Sequence, residues 1–333
     1  MIACDRIYGV VNVTEPVFSD IIAAPTFQRL QGINMGPWRP NMPFYSIPVS
    51  RYHHSIGVFM LLRIHGASVP EQIAGLIHDV SHTAFSHLSD RLFGDMDAAK
   101  TQEYQDDVHE KFVKNSELAE IITRAGFDLD MILDDTPFKL KENELPDLCA
   151  DRLDYCLRAI PHMHQYGKLI ECDEVALSHA IVATPDGFVM RDADSARMFA
   201  HAFNTTDEQI YSSFTGVFYE EMLARICRDA IKDGILTRDD FFHMNDMQVI
   251  RKMHMAGVDF SALYANPNEW RAADDDVNAV VMPQKLRRVD PPFIDTDGII
   301  RRLSDVDADF ARYIKACPKF VEYKIKKALK SAM

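Results

Sequence analysis

The segment HDVSHTAFSH, residues 78–87, sets His78, Asp79, His82 and His87 within ten residues of otherwise apolar sequence. Seven of the thirteen histidines lie from His53 to His109, so the imidazoles are concentrated in one part of the chain. A divalent metal ion needs neutral imidazoles and carboxylates that converge from separate elements. Neighbours on a helix point about 100° apart, so His78 and Asp79 grip one ion together only at a bend or with ligands from other helices. His54, on the preceding helical segment, is a natural third ligand, and Asp151, in ELPDLCADRLDYCLR, a natural fourth. Asp147, Asp151 and Asp154 fall at i, i+4 and i+7 and share one helix face. The apolar Leu148, Leu153 and Leu157 around them require at least one of the three to point inward. Taken singly, a histidine on an apolar face is usually a satisfied core residue, and an aspartate triplet is usually a solvated face. The order H…HD…D over three helical segments is what favours a metal site. No functional role is expected for His53, because its neighbour takes the ligand position.

The elements that must position these residues read as mainly helical. Residues 6–14 alternate and are β-branched, which predicts a strand or hairpin. Residues 17–35 have helical spacing, and the proline-rich run 36–48 predicts a loop. One helix starts at Ser50. A second starts at Pro70, with the proline in its first turn, and runs into the histidine segment. Residues 101–126 and 142–160 predict two more helices. A Pro-Asp-Gly turn between apolar runs predicts a small hairpin over 176–192. Residues 193–233 and 238–256 read as helical and 265–283 as a loop; the basic end FVEYKIKKALKSAM fits helix or strand. The fold class expected is mainly α, a helical bundle with minor β-hairpins. The division expected is a helical core over 1–170 carrying the metal site, with an α-rich C-terminal extension over 171–333 packed on it.

Composition limits the function classes. The chain has 333 residues and a net charge of −14, which disfavours a nucleic-acid partner. It leaves room for a small anionic substrate, because a metal or arginine cluster reverses the field locally. The six cysteines are dispersed without a CxxC pair, and they read as reduced thiols of a cytoplasmic protein. No signal-peptide pattern opens the sequence, and no run of eighteen apolar residues predicts a membrane span.

Several motifs carry a family likeness. IYGVV at 7–11 and FQRLQGI at 27–33 resemble "I-x-G" and "FQRLRxI"; RYHHSIGV at 51–58 resembles "RFEHSLGV". HDVSHTAFSHLSD at 78–90 resembles "HDxGHxPFSHxxD", and ADRLDYCLR at 150–158 resembles "xDKxDYxxRD". The chain thus resembles the HD superfamily of metal-dependent phosphohydrolases, and within it the branch of dGTPases and other deoxynucleoside triphosphate triphosphohydrolases. The likeness covers about 150 residues and continues weakly to VDPPFID, 289–295. It implies an HD-domain helical bundle, with His54, His78, Asp79 and Asp151 holding one divalent ion (Mn, Mg, Fe, Ni or Zn). It implies that Arg51 holds a phosphate oxygen through its planar fork, that His82 faces the site, and that His87 touches the phosphate chain. Asp90 and His109 resemble an acid–base pair, with His109 as the imidazolium that protonates the leaving group. Arg152 and Tyr155 fall where the branch binds phosphate and sugar. A homo-oligomer is the default for this family.

Three departures bear on the substrate. Ala159 stands where the branch has an aspartate on the sugar 3′-hydroxyl, and Met35 stands where it has a glutamine. The stretch from Met198 to Leu223 has no Lys or Arg, although the branch takes polyphosphate-binding cations there. The leading expectation is therefore a phosphohydrolase acting on a small phosphorylated, nucleotide-like molecule. A true deoxynucleoside triphosphate triphosphohydrolase is the close alternative. Readings of another class are a non-catalytic nucleotide-sensing HD module and a di-iron HD oxygenase; the latter needs further histidine ligands between His78 and Asp151, and no convincing set is present.

Overall fold

Pro25 divides the first apolar helix. The residue before a proline is pushed out of the helical region, and Ala24 is extended at ψ 137°. The expected helix over 17–35 becomes Pro16–Ala23, Pro25–Gln28 and a 3₁₀ turn, Arg29–Gly32. The computed structural model describes residues 1–36, 49–94, 104–166, 172–272 and 279–327. The predicted loop 36–48 therefore falls, beyond its first residue, outside the described residues.

Other long helical readings are interrupted in the same way. Ser116 caps a new helix with its hydroxyl, so 101–126 resolves into Tyr104–Lys114 and Glu117–Arg124, with 101–103 outside the described residues. Residues 142–149 form a loop containing a cis Leu145–Pro146 bond, and the helix carrying Asp151 spans only Ala150–Ala159. The 193–233 segment is Ala193–Thr206 and Phe214–Lys232, separated by a π-helical turn at Asp207–Tyr211. The 238–256 segment is two helices, Arg238–His243 and Asp246–Met255, each opened by a reciprocal capping box.

The architecture is mainly α with small sheets. Ile2–Asp5 and Gly9–Asn12 form an N-terminal hairpin. Ile181–Thr184 and Gly187–Met190 form the predicted second hairpin. Pro292–Ile294 joins it in parallel and Ile300–Arg302 follows, giving four strands. The segment expected as a loop over 265–283 supplies strands instead. Trp270–Ala272 and Val280–Lys285 flank Phe320–Lys327, so the basic terminal segment is a strand; 273–278 and 328–333 are outside the described residues. Among the described residues no helix is long and apolar enough to cross a membrane, and the six cysteines are unpaired.

Three helices meet where the site residues lie. Val58, Leu61 and Leu62 of the Arg51–Ile64 helix share an apolar cluster with Leu153 and Leu157. Phe199, Phe203 and Phe293, all beyond residue 170, complete it. A continuous core thus crosses the expected boundary at residue 170. Close approach depends on two glycines. A Cβ at Gly75 would lie 2.3 Å from Leu62 Cδ1, so its absence lets the Val69–Ile77 helix settle on its neighbour. A Cβ at Gly57 would lie 2.0 Å from both Asp154 Oδ1 and Arg158 Nη2. Those two groups form a buried ion pair whose ends cannot swing into water. Gly57→Ala is expected to destabilise the protein by about 1–3 kcal/mol through overpacking. Urea unfolding reads this, and a midpoint equal to wild type would show that the ion pair is not confined against the helix.

Candidate metal centre

The Val69–Ile77 helix ends at His78, and the chain turns there. This is the bend that lets adjacent His78 and Asp79 serve one point. The His78 ring donates from Nδ1 to the Gly75 carbonyl at 2.8 Å, which leaves its Nε2 lone pair free. His54, fully buried, donates from Nδ1 to Asp154 Oδ2 at 2.7 Å. The two Nε2 atoms face each other at 3.2 Å. Asp151 Oδ1 is 2.9 Å from His54 Nε2 and 3.7 Å from His78 Nε2. His54, His78 and Asp151 thus present one donor each around a single point. Asp79 borders this triad, with Oδ1 3.4 Å from His78 Nε2 and Oδ2 3.8 Å from His54 Nε2. Two imidazole nitrogens and two carboxylates suit a divalent ion of the Mn, Fe, Ni or Zn type, so the residues fit a resident metal.

Each donor is held from behind, the support that metal-ligating histidines usually have. Asp154 Oδ2 also accepts from Arg158 Nε at 2.7 Å, and Arg158 Nη2 reaches Asp5 Oδ2 at 2.8 Å. Asp79 accepts from Arg51 Nη1 at 2.7 Å and faces His82 Nε2 at 3.2 Å. Burial would lower the His54 pKa, but Asp151 and Asp154 override it and raise it to about 9. Burial would raise Asp151, yet hydrogen bonds from His54 and His78 hold it well below the usual carboxylate range. Asp79 is likewise held low against its burial, first by the charge of Arg51.

The loop that follows is strained and clamped. Phe85 and Ser86 adopt left-handed backbone conformations, with φ of 63° and 55°, each costing of order 1–3 kcal/mol outside glycine. Asp246 Oδ1 accepts from the Phe85 amide at 2.7 Å, while Oδ2 accepts from the Asn34 amide at 3.0 Å. Burial raises the Asp246 pKa to about 6. The Ala84 amide donates to the Phe241 carbonyl, and Arg29 donates to the carbonyls of Val80 and His82. Ser86 Oγ accepts from Arg51 Nε at 2.7 Å and donates to the Asn34 carbonyl.

The remaining expected site residues divide into those near the metal point and those elsewhere. Arg51 is buried beside Asp79, and its Nη2 has no partner among the described residues. His82 lies behind Asp79, and its Nδ1 is buried without a partner among the described residues; burial and the Arg51 charge hold its pKa well below the usual value. Asp90 and His109 are not joined. Asp90 faces His87 Nδ1 at 3.3 Å and accepts from the Tyr104 amide, whereas His109 Nδ1 pairs with Ser81 Oγ at 2.8 Å. Burial, with the charges of Lys141 and His78, pushes His109 down to about 3. Burial and these charges favour the neutral His109 ring over the imidazolium expected there. The imidazole that Asp90 backs is His87, about one-third exposed.

Arg152 is engaged by the 142–149 loop, donating to the Asn143 carbonyl, to Cys149 Sγ at 3.2 Å and to Glu142 Oε1 at 3.0 Å. Glu142, Cys149 and Asp151 also cluster at ligand spacing, but Arg152 already engages Glu142 and Cys149, and burial pushes the Cys149 thiol far up. Tyr155 packs tilted against Phe203 and edge-on to Tyr211, with its hydroxyl buried and unpartnered among the described residues. His53 is exposed and pairs with Ser50, as a cap residue would. Sequence reasoning missed Arg29, Asp246 and Asp154's role beneath His54. A signal existed only for Asp154, in its i+3 offset from Asp151.

The HD-domain family model matches residues 51–159, the stretch that contains all four candidate ligands. The chain is 30% identical over 303 residues to the uncharacterized protein YdhJ of Bacillus subtilis, covering 89% of each. It is 30% identical over 305 residues to the metal-dependent phosphohydrolase cns2 of Cordyceps militaris, covering 86% of this chain and 83% of the relative. This chain belongs to the HD-domain metal-dependent phosphohydrolases. Two solved structures share the fold of this HD phosphohydrolase. A phosphohydrolase from Bacteroides thetaiotaomicron matches with a TM-score of 0.64 at 15% identity, over 99% of this chain and all of the other. A hypothetical protein from Aquifex aeolicus matches with a TM-score of 0.69 at 18% identity, over 98% and 96%.

The His54 pKa gives a test by metal removal. Its folded value, about 9, lies above the ordinary 6.5. The protonated form therefore stabilises the stripped protein fully below pH 6.5, and that contribution is lost as pH rises through 9. A ligating imidazole must give up this proton. Chelator-stripped protein should lose melting temperature across that window, and adding Mn²⁺ at neutral pH should release about one proton per ion. Titration calorimetry in buffers of different ionisation enthalpy reads the release. No release, with the melting temperature flat over the window, would show that His54 carries no such proton.

Proposed function

We propose that His54, His78, Asp79 and Asp151 together hold one divalent ion, and that this ion serves hydrolysis of a phosphoester in a small, nucleotide-like substrate. The observation that carries the reading is the pair of Nε2 atoms 3.2 Å apart, with Asp151 Oδ1 at 2.9 Å and each ring fixed by its own Nδ1–H donor bond. When bound, such an ion lowers the pKa of a water and polarises a phosphoryl oxygen. Arg51 lies against Asp79 with Nη2 to spare, placed to take a phosphoryl oxygen and to stabilise the charge that develops on it. His82 donates from Nε2 to Asp79 and orients that carboxylate. His87, held at Nδ1 by buried Asp90, delivers a proton from Nε2 to the leaving oxygen. His109, neutral and paired with Ser81, orients the turn after His78, a part different from the acid role expected of it.

A deoxynucleoside triphosphate triphosphohydrolase is the alternative. Ala159 is fully buried and offers no hydrogen bond to a sugar, which favours the broader substrate reading. Incubating Mn²⁺-loaded protein with a pool of ribo- and deoxynucleotide mono- and triphosphates, followed by mass spectrometry, separates the two. Phosphate from monophosphates supports the leading reading; nucleoside with tripolyphosphate supports the alternative. Asp79→Ala should abolish turnover. His87→Ala should lower kcat by roughly 10²–10⁴ with metal content unchanged, the usual worth of a positioned acid. Full activity in His87→Ala would remove it from the proton path.

A further inference from the structure

The helix Tyr104–Lys114 reaches both halves of the site with its first two residues. The Tyr104 amide donates to Asp90 Oδ1 at 3.1 Å, and the other oxygen of that carboxylate faces His87. The next side chain, Gln105, crosses to the bend that follows the Val69–Ile77 helix. Its Nε2 donates to the His78 carbonyl at 2.9 Å and to Ser81 Oγ at 2.6 Å. Ser81, accepting there, is left to donate its own hydrogen to His109 Nδ1 at 2.8 Å, a direction that suits a neutral ring. His109 lies one turn after Gln105 on the same helix face.

What Gln105 holds is the peptide group between two candidate ligands. The last carbonyls of a helix have no partner within it. Here the carbonyls of Ile77 and Asp79 accept from the amides of Val80 and His82, at 3.1 and 3.0 Å. The carbonyl between them, that of His78, accepts from Gln105 instead. It belongs to the peptide that joins His78 to Asp79, so its direction sets the angle at which the two side chains leave the chain. On a continuing helix they would diverge by about 100°. At this bend His78 Nε2 and Asp79 Oδ1 stand 3.4 Å apart. Gly75 and Arg51 steady the His78 ring and the Asp79 carboxylate one by one; Gln105 acts on the backbone that both share.

The helix does not depend on this amide to stay in place. Val113, further along it, is buried in the apolar cluster that also holds Ile77 and Val80, which bracket the bend. Apolar packing sets the distance, and the amide adds direction. We propose that Gln105 is a positioning residue of the metal centre: by bonding the His78 carbonyl and Ser81, it fixes the bend that turns His78 and Asp79 toward one ion. This rests on the metal reading of the site.

The test is the Mn²⁺ affinity of the chelator-stripped full chain by titration calorimetry, with the melting temperature of the stripped form measured alongside. Gln105→Met keeps the length and helix preference of the side chain and removes both donors. It should weaken Mn²⁺ binding about tenfold or more, the usual cost of losing a group that supports a metal ligand, while the stripped protein melts within a few degrees of wild type. Gln105→Asn keeps a donor one methylene short, within reach of a bridging water, and should lose less than Gln105→Met. Wild-type affinity in Gln105→Met would overturn the proposal. So would a lowered melting temperature with affinity retained, which would leave Gln105 a structural role only. Asp79→Ala reports on the metal reading separately. If it binds Mn²⁺ as wild type does, that reading fails and the proposal with it. If it loses its ion while Gln105→Met keeps wild-type affinity, the metal reading stands and this inference alone fails.

Discussion

The carboxylate of Asp154 decides what His54 can do. It accepts from His54 Nδ1 and Arg158 Nε, both at 2.7 Å, through one oxygen that is buried completely. That bond fixes which ring nitrogen carries hydrogen and aims Nε2 at His78 and Asp151. An isolated carboxylate could not remain charged at such a position. Arg158 and Asp5 complete the chain of alternating charge, so the N-terminal hairpin and two helices all converge on one imidazole. Gly57 is the concession the helix makes to this pair. Deleting one partner of such a buried chain leaves an uncompensated charge, and its effect exceeds that of deleting a surface pair.

The other half of the site is a strained loop held in place from far along the chain. Phe85 and Ser86 keep left-handed conformations because Asp246, Phe241 and Asn34 satisfy the groups around them. Phe85 and Leu88 are packed among Phe218, Phe241 and Met253. The segment beyond residue 170 is thus part of how the histidine loop is shaped. The chain before residue 160 supplies the candidate metal donors, whereas the later chain supplies the clamp.

Much of this was legible in the sequence, and the parts that were not share a cause. Helix type and metal donors follow from local signals, namely apolar periodicity and the order of His54, His78, Asp79 and Asp151. Interruptions were missed where one residue overrode the period: Pro25, Pro146 and the cap at Ser116. The strands at Val280–Lys285 and Phe320–Lys327 pair across a long stretch of chain, and no local pattern encodes such a partner. Long-range bonds also explain the reassignment around Asp90. The family resemblance implied a pair of Asp90 and His109, but the turn geometry gives Asp90 to His87 and His109 to Ser81. Arg152 looked available and is engaged by a loop.

The account depends on the convergence of four side chains on one ion. Anomalous diffraction from crystals grown with Mn²⁺ tests it most directly. The account predicts a single strong peak within bonding distance of His54 Nε2, His78 Nε2, Asp79 and Asp151. A peak beside Glu142 and Cys149 instead, or none at full Mn²⁺ loading, would contradict it.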